Sequence, residues 1–125
     1  MIVGIGVDEV EVDRFRRSLE RTPTLARRLF TADERAYGGA APGLTAERLA
    51  VRFAAKEAVL KAMGAGLGAC RFAEIEVTRD DESGAPSLVL HGGAARLAEE
   101  RGVARWHLSL SHTSVRATAF VVAEA

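Results

Sequence analysis

Cysteine is almost absent from this chain. Cys70 is the one thiol among 125 residues, so no internal disulfide framework can form. A reducing cytoplasm is the expected setting. Net charge is absent too: 17 Lys and Arg balance 17 Asp and Glu, and no overall field selects nucleic acid. No apolar run approaches the roughly 18 residues of a membrane span. The opening Met1-Ile2-Val3-Gly4-Ile5-Gly6-Val7-Asp8 carries no basic leader. Familiar chemical signatures are also missing. There is no HExxH or zinc-type spacing, no GxxxxGK[ST] loop, and no nucleophile elbow around Ser109 or Ser111. Gly4-Ile5-Gly6 lacks the third glycine of a dinucleotide fingerprint.

What is present suits one packed domain over residues 1–125. Hydrophobic residues make up 48%, enough for a core and too many for a disordered chain. Residues 2–7 predict a buried strand, with Val3, Ile5 and Val7 on one face and Ile2, Gly4, Gly6 and Asp8 on the other. The two glycines let something approach the backbone, and Asp8 stands at the expected strand end. Residues 12–29 predict a basic helical region containing Arg14, Arg16, Arg17, Arg21, Arg27 and Arg28. Thr22-Pro23 divides it, with Thr22 as the cap of the second piece. Its charge either attracts an acidic partner or is a solvated face balanced by Glu9, Glu11, Asp13 and Glu20. A short helix start at residues 31–34 and a loop over residues 38–43 follow.

Residues 47–63 form the strongest helix signal, rich in Ala, Leu, Glu, Lys and Arg and free of Gly and Pro. Thr45 is the expected cap. Leu49, Phe53, Leu60 and Met63 form an apolar arc, and Lys56 falls inside it. Glu57 and Lys61 lie together on another side, beside the small Ala50 and Ala54. That pair is either ordinary helix decoration or half of a site that another backbone or a ligand approaches. Gly64-Ala65-Gly66-Leu67-Gly68 is either an anion cradle or a helix stop. Strands are predicted at residues 72–78 and 86–90, joined by a hairpin turn over residues 79–84. A helix over residues 93–101 stops at Gly102. Strands at residues 106–111 and 115–122 complete the chain. Trp106, Leu108 and Leu110 share one face of the first of these, opposite His107, Ser109 and Ser111. His107 and His112 are either hydrogen-bonded structural residues or ligand contacts.

Asp8 and Glu57 are hard carboxylates of the kind that hold Mg²⁺ together with substrate phosphates and water. Lys61, one turn from Glu57, is placed to touch the same phosphate, and Arg52 and Lys56 add positive charge. A magnesium–phosphate site is therefore expected. Three classes remain: a group-transfer enzyme, a non-catalytic binding module, and a Mg²⁺-dependent hydrolase or phosphoryl-transfer enzyme acting on a nucleotide.

Three stretches, GIGVDEVEVDRF, RFAAKEAVLKAMG and WHLSLSHT, occur in this order and at these spacings. Together they resemble the holo-[acyl-carrier-protein] synthases, the short 4′-phosphopantetheinyl transferases, over nearly the whole chain. The resemblance implies an α+β fold, with an antiparallel sheet packed against a long central helix, assembled as a homotrimer with active sites at subunit interfaces. It implies transfer of 4′-phosphopantetheine from coenzyme A to a serine of an apo acyl carrier protein, releasing adenosine 3′,5′-bisphosphate. Asp8 and Glu57 match the family's Mg²⁺ ligands, and Lys61 its phosphate-contacting lysine. Arg52, Lys56, Gly64, His107, Ser111 and His112 match positions bordering the coenzyme. Arg14, Arg21 and Arg28 match the surface that docks the acidic carrier protein. One departure stands out: the family's Gly-Thr-Gly loop after the central helix is Gly64-Ala65-Gly66 here.

Overall fold

The computed structural model describes residues 1–39 and 45–125. It holds β1 (Ile2–Glu11), α1 (Val12–Arg21), α2 (Leu25–Leu29), α3 (Ala32–Gly39) and α4 (Thr45–Ala62) in its first half. A 3₁₀ turn (Phe72–Glu74), β2 (Ile75–Arg79), β3 (Pro86–Leu90), α5 (Gly92–Glu100), β4 (Arg105–His112) and β5 (Arg116–Glu124) follow. The class is α+β. The strands divide into two antiparallel sheets, β1-β5-β4 and the separate hairpin β2-β3.

The inner face of the larger sheet is built from very small residues. Gly4 and Gly6 of β1 lie beside Ala117, Ala119, Val121 and Ala123 of β5, all four of which are buried. Small side chains let α4 settle close against this face. A Cβ at Gly4 would stand 1.8 Å from the Ala62 carbonyl oxygen, and one at Gly6 1.8 Å from that of Ala58. The close approach is made at Ala58 and Ala62, not at the expected Ala50 and Ala54. An adjoining face of α4 packs Val59, with Met63 just beyond the helix end, into a core with Ile75, Val77, Ala94 and Ala98. A second core joins Val12, Phe15, Leu29 and Phe30 to Leu49, Ala50 and Val51. Phe15 and Phe53 stack there at 5.2 Å between ring centroids.

Several boundaries differ from expectation. The first strand runs on to Glu11, because β5 continues to pair with it as far as Arg116, and Glu9 forms an ion pair with Arg116. Asp8 therefore sits inside the strand. The strand is not buried on its apolar side. Val3, Ile5 and Val7 point away from α4 and are 40%, 55% and 53% exposed, with Phe120 of β5 beside them at 44%. Thr22 closes α1, its N–H donating to Ser18, and α2 begins only at Leu25. The expected loop at residues 38–43 begins late, since α3 continues through Gly39, where Gly38 is buried against Leu49. The rest of that loop lies outside the described residues. Thr45 is the first residue of α4. The strand expected from residue 72 starts at Ile75, because Glu74 turns back to accept from the Arg71 N–H and bends the chain into the 3₁₀ turn.

Candidate active site

The close contact of β1 with α4 brings Asp8 to Glu57 and Lys61. Asp8 is on the same strand face as the two glycines, so it projects toward the helix where the backbones lie closest. Lys61 Nζ donates to Asp8 Oδ1 at 3.0 Å and to the Val7 carbonyl at 2.9 Å. The Glu57 carboxyl is pushed up to about 7, chiefly by burial, then by the neighbouring Asp8 carboxylate, with Lys61 opposing. Asp8 Oδ2 is buried and has no hydrogen-bond partner among the described residues. Buried polar atoms are nearly always satisfied. An unsatisfied carboxylate oxygen beside a second carboxyl that resists ionisation is an environment short of positive charge, so the residues fit a divalent cation. The described residues hold no cluster of three or more Asp, Glu, His or Cys of metal-binding geometry. Two carboxylates match the way Mg²⁺ is held, with water and phosphate oxygens completing its shell. Glu57 also borders a cleft of about 450 Å³ with Glu9, Arg14, Phe15 and Phe53.

A second cleft, of about 250 Å³, has the opposite need. Tyr37, Arg48, Arg52, Arg79, Pro86 and His112 border it. The guanidinium carbons of Arg52, Arg48 and Arg79 lie 4.1, 4.7 and 5.5 Å from the centre of the Tyr37 ring. Among the described residues none of the three is in an ion pair. Arg52 is buried, its Nε is without a partner there, and burial lowers its pKa, with Tyr37 and Glu34 opposing. His112 Nδ1 sits 3.2 Å from Glu47 Oε2. Such a cleft takes an anion, and planar guanidinium forks suit phosphate.

The family model of the 4′-phosphopantetheinyl transferase superfamily matches residues 4–121. The chain belongs to this superfamily, among the holo-[acyl-carrier-protein] synthases. It is 53% identical over 124 residues to the holo-[acyl-carrier-protein] synthase of Clavibacter michiganensis subsp. michiganensis, covering 99% of this chain and 97% of that protein. The crystal structure of holo-[acyl-carrier-protein] synthase (AcpS) from Neisseria meningitidis superposes with a TM-score of 0.89 at 38% identity, covering 100% of both chains. The crystal structure of a Bacillus anthracis holo-(acyl-carrier-protein) synthase in complex with CoA (3′,5′-ADP) superposes with a TM-score of 0.81 at 37% identity, covering 100% of this chain and 98% of that one. The chain is thus a transferase of the holo-[acyl-carrier-protein] synthase family.

Within this family member, the residues expected at the coenzyme divide into groups. Arg52 and His112 meet in the arginine cleft. Lys56 is not at the surface where a coenzyme contact was expected: it is fully buried and lines neither cleft. Its Nζ donates to Glu34 Oε1 at 2.8 Å, to the Phe72 carbonyl at 2.9 Å and to the Ile75 carbonyl. Burial pulls its pKa down, while Glu34 pulls it back up. The apolar arc of the helix wheel already contained it, so position, not chemistry, was the better guide. Gly64 ends α4 with φ +66°. Its N–H donates to the Lys61 carbonyl and that of Ala65 to the Leu60 carbonyl, the Schellman stop that favours glycine.

His107 and Ser111 lie on the outer sheet face, opposite to Asp8, and His107 Nε2 is 3.0 Å from Glu124 Oε1. One chain alone does not bring these two to the carboxylates. Arg14, Arg21 and Arg28 are exposed. Arg14 borders the Glu57 cleft, and Arg28 another cleft of about 550 Å³ beside Arg27, Arg71 and Phe72. Tyr37, Arg48, Arg79 and Glu34 were not anticipated. Arg48 and Arg52 are one helical turn apart, which was a readable signal. Tyr37 and Arg79 come from other elements and left none.

Proposed function

We propose that this protein transfers 4′-phosphopantetheine from coenzyme A to a serine of an apo acyl carrier protein, with Mg²⁺ held by Asp8 and Glu57. The observation that carries this reading is the unpartnered Asp8 oxygen beside Glu57 and Lys61. The Bacillus anthracis relative, seen in complex with CoA (3′,5′-ADP), supports the choice of coenzyme. The serine oxygen forms a bond to the β-phosphorus, the bridging P–O bond breaks, the serine proton passes to water, and adenosine 3′,5′-bisphosphate leaves with the bridging oxygen. When bound, the metal supplies positive charge to the diphosphate. Lys61, anchored on Asp8 and Val7, holds an ammonium beside those same oxygens and stabilises charge that grows during transfer. Arg14, at the lip of the Glu57 cleft, with Arg21 and Arg28, draws the acidic carrier protein by electrostatic steering.

The arginine cleft takes the phosphorylated adenosine end of the coenzyme. It does not share its lining with the carboxylate pair, and His107 and Ser111 point the other way. Assembly as a homotrimer through the exposed Val3, Ile5, Val7 and Phe120 face accounts for both facts, because it sets residues of one copy beside the carboxylates of another. Intact mass of apo carrier protein after incubation with this protein, coenzyme A and magnesium tests the reading. A gain of one phosphopantetheine supports it. An unmodified carrier, with coenzyme A bound, overturns it in favour of a binding module.

A further inference from the structure

We propose that Tyr37 is a positioning residue that arranges Arg48, Arg52 and Arg79 into a clamp selective for the coenzyme's ribose 3′-phosphate. This rests on the coenzyme assignment above. Three guanidiniums gathered without a carboxylate partner among the described residues repel one another and would spread apart. Tyr37 opposes this through three separate groups. Its ring face lies within 4.1 to 5.5 Å of all three guanidinium carbons, within reach of cation–π attraction. Its hydroxyl accepts from Arg79 Nη1, and its backbone carbonyl accepts from Arg48 Nη1 at 3.2 Å. Arg52 is tied in turn to Arg48, its Nη1 3.5 Å from the Arg48 carbonyl. One residue of α3 thereby organises charges from α4 and β2.

The consequence is preorganisation. Free arginines lose side-chain entropy on gripping a ligand, whereas arginines already ordered around a ring lose little. The unpartnered Nε of buried Arg52 keeps a donor in reserve that Glu34, Asp33 and Asp81, bordering the adjoining hollow, do not take up. A phosphate monoester, with two negative charges and three free oxygens, suits three forks. A ribose hydroxyl in its place would leave the cluster uncompensated, which is how a site rejects the analogue that lacks the expected group.

The test measures binding of adenosine 3′,5′-bisphosphate and of AMP by calorimetry, for the wild type, Tyr37→Phe, Tyr37→Leu and Arg79→Gln. Tyr37 is only half-buried and Arg79 is exposed, so these variants are expected to fold, which far-UV circular dichroism checks. Charge-assisted hydrogen bonds predict a wild-type preference for the bisphosphate of about tenfold or more. Tyr37→Leu should bring the two ligands to within about threefold, while Tyr37→Phe, which keeps the ring, retains most of the preference. Arg79→Gln should fall between them. In transfer assays Tyr37→Leu should raise the KM for coenzyme A and leave the kcat and the KM for carrier protein in place. A wild type without preference, or a folded Tyr37→Leu that keeps it, overturns the clamp. Preference without carrier modification would instead sink the transferase reading and leave the clamp standing.

Discussion

The carboxylate pair and the arginine cleft are charged in opposite senses, and each is left incomplete. At one, Asp8 keeps a buried oxygen without a donor and Glu57 resists ionisation. At the other, three guanidiniums share a tyrosine ring and Arg52 keeps a buried N–H without an acceptor. Lys56 of α4 and Glu34 of α3 show the alternative: both are buried, but satisfied on every side. Charge that the fold neutralises is architecture. Charge that it gathers and leaves unmatched at these two places is what the proposed cation and phosphate would meet.

The comparison breaks most sharply at Asp8. Asp8→Ala should lower single-turnover transfer by about 10³-fold, the scale seen when electrostatic support at a reacting centre is removed, and should abolish magnesium saturation. Folding should survive, as read by circular dichroism. Lys56→Met tests the opposite case. Stability should fall by about 3–5 kcal/mol, because Glu34 is left buried and unpaired, and Lys56→Met with Glu34→Gln should recover much of that loss; urea unfolding reads both. Gly6→Ala should cost about 1–3 kcal/mol by overpacking, since the new Cβ must move away from the Ala58 carbonyl, and Asp8 should move with it.

Glu57 supplies the pH dependence. Its folded pKa of about 7 exceeds the ordinary 4.5, so between these values the folded state binds the proton more readily than the unfolded chain. The stability it contributes is complete below pH 4.5 and is lost as pH rises through 7. In metal-free buffer the wild type's Tm should therefore fall across this window more than that of Glu57→Gln. Magnesium, which needs the ionised carboxylate, should reduce the fall. Smallest is Arg14→Glu, expected to raise the KM for carrier protein about tenfold at low salt, and less at high salt, with the KM for coenzyme A unchanged. Equal effects on both substrates would remove Arg14 from the docking surface.

Local pattern announced much of this protein. The Ala-rich run free of Gly and Pro had to be helical, the alternation in residues 106–111 had to be a strand, and three motifs at fixed spacing pointed to the family and to Asp8, Glu57 and Lys61. These are properties of neighbours along the chain, which short-range sterics and periodicity impose. The close seating of β1 on α4, the orientation of the apolar strand face outward, the burial of Lys56 on Glu34 and the gathering of Arg48, Arg52 and Arg79 around Tyr37 belong to packing alone. Each joins residues distant in sequence, and only the competition among all side chains for a limited interior determines which charges end up satisfied and which remain open to a ligand.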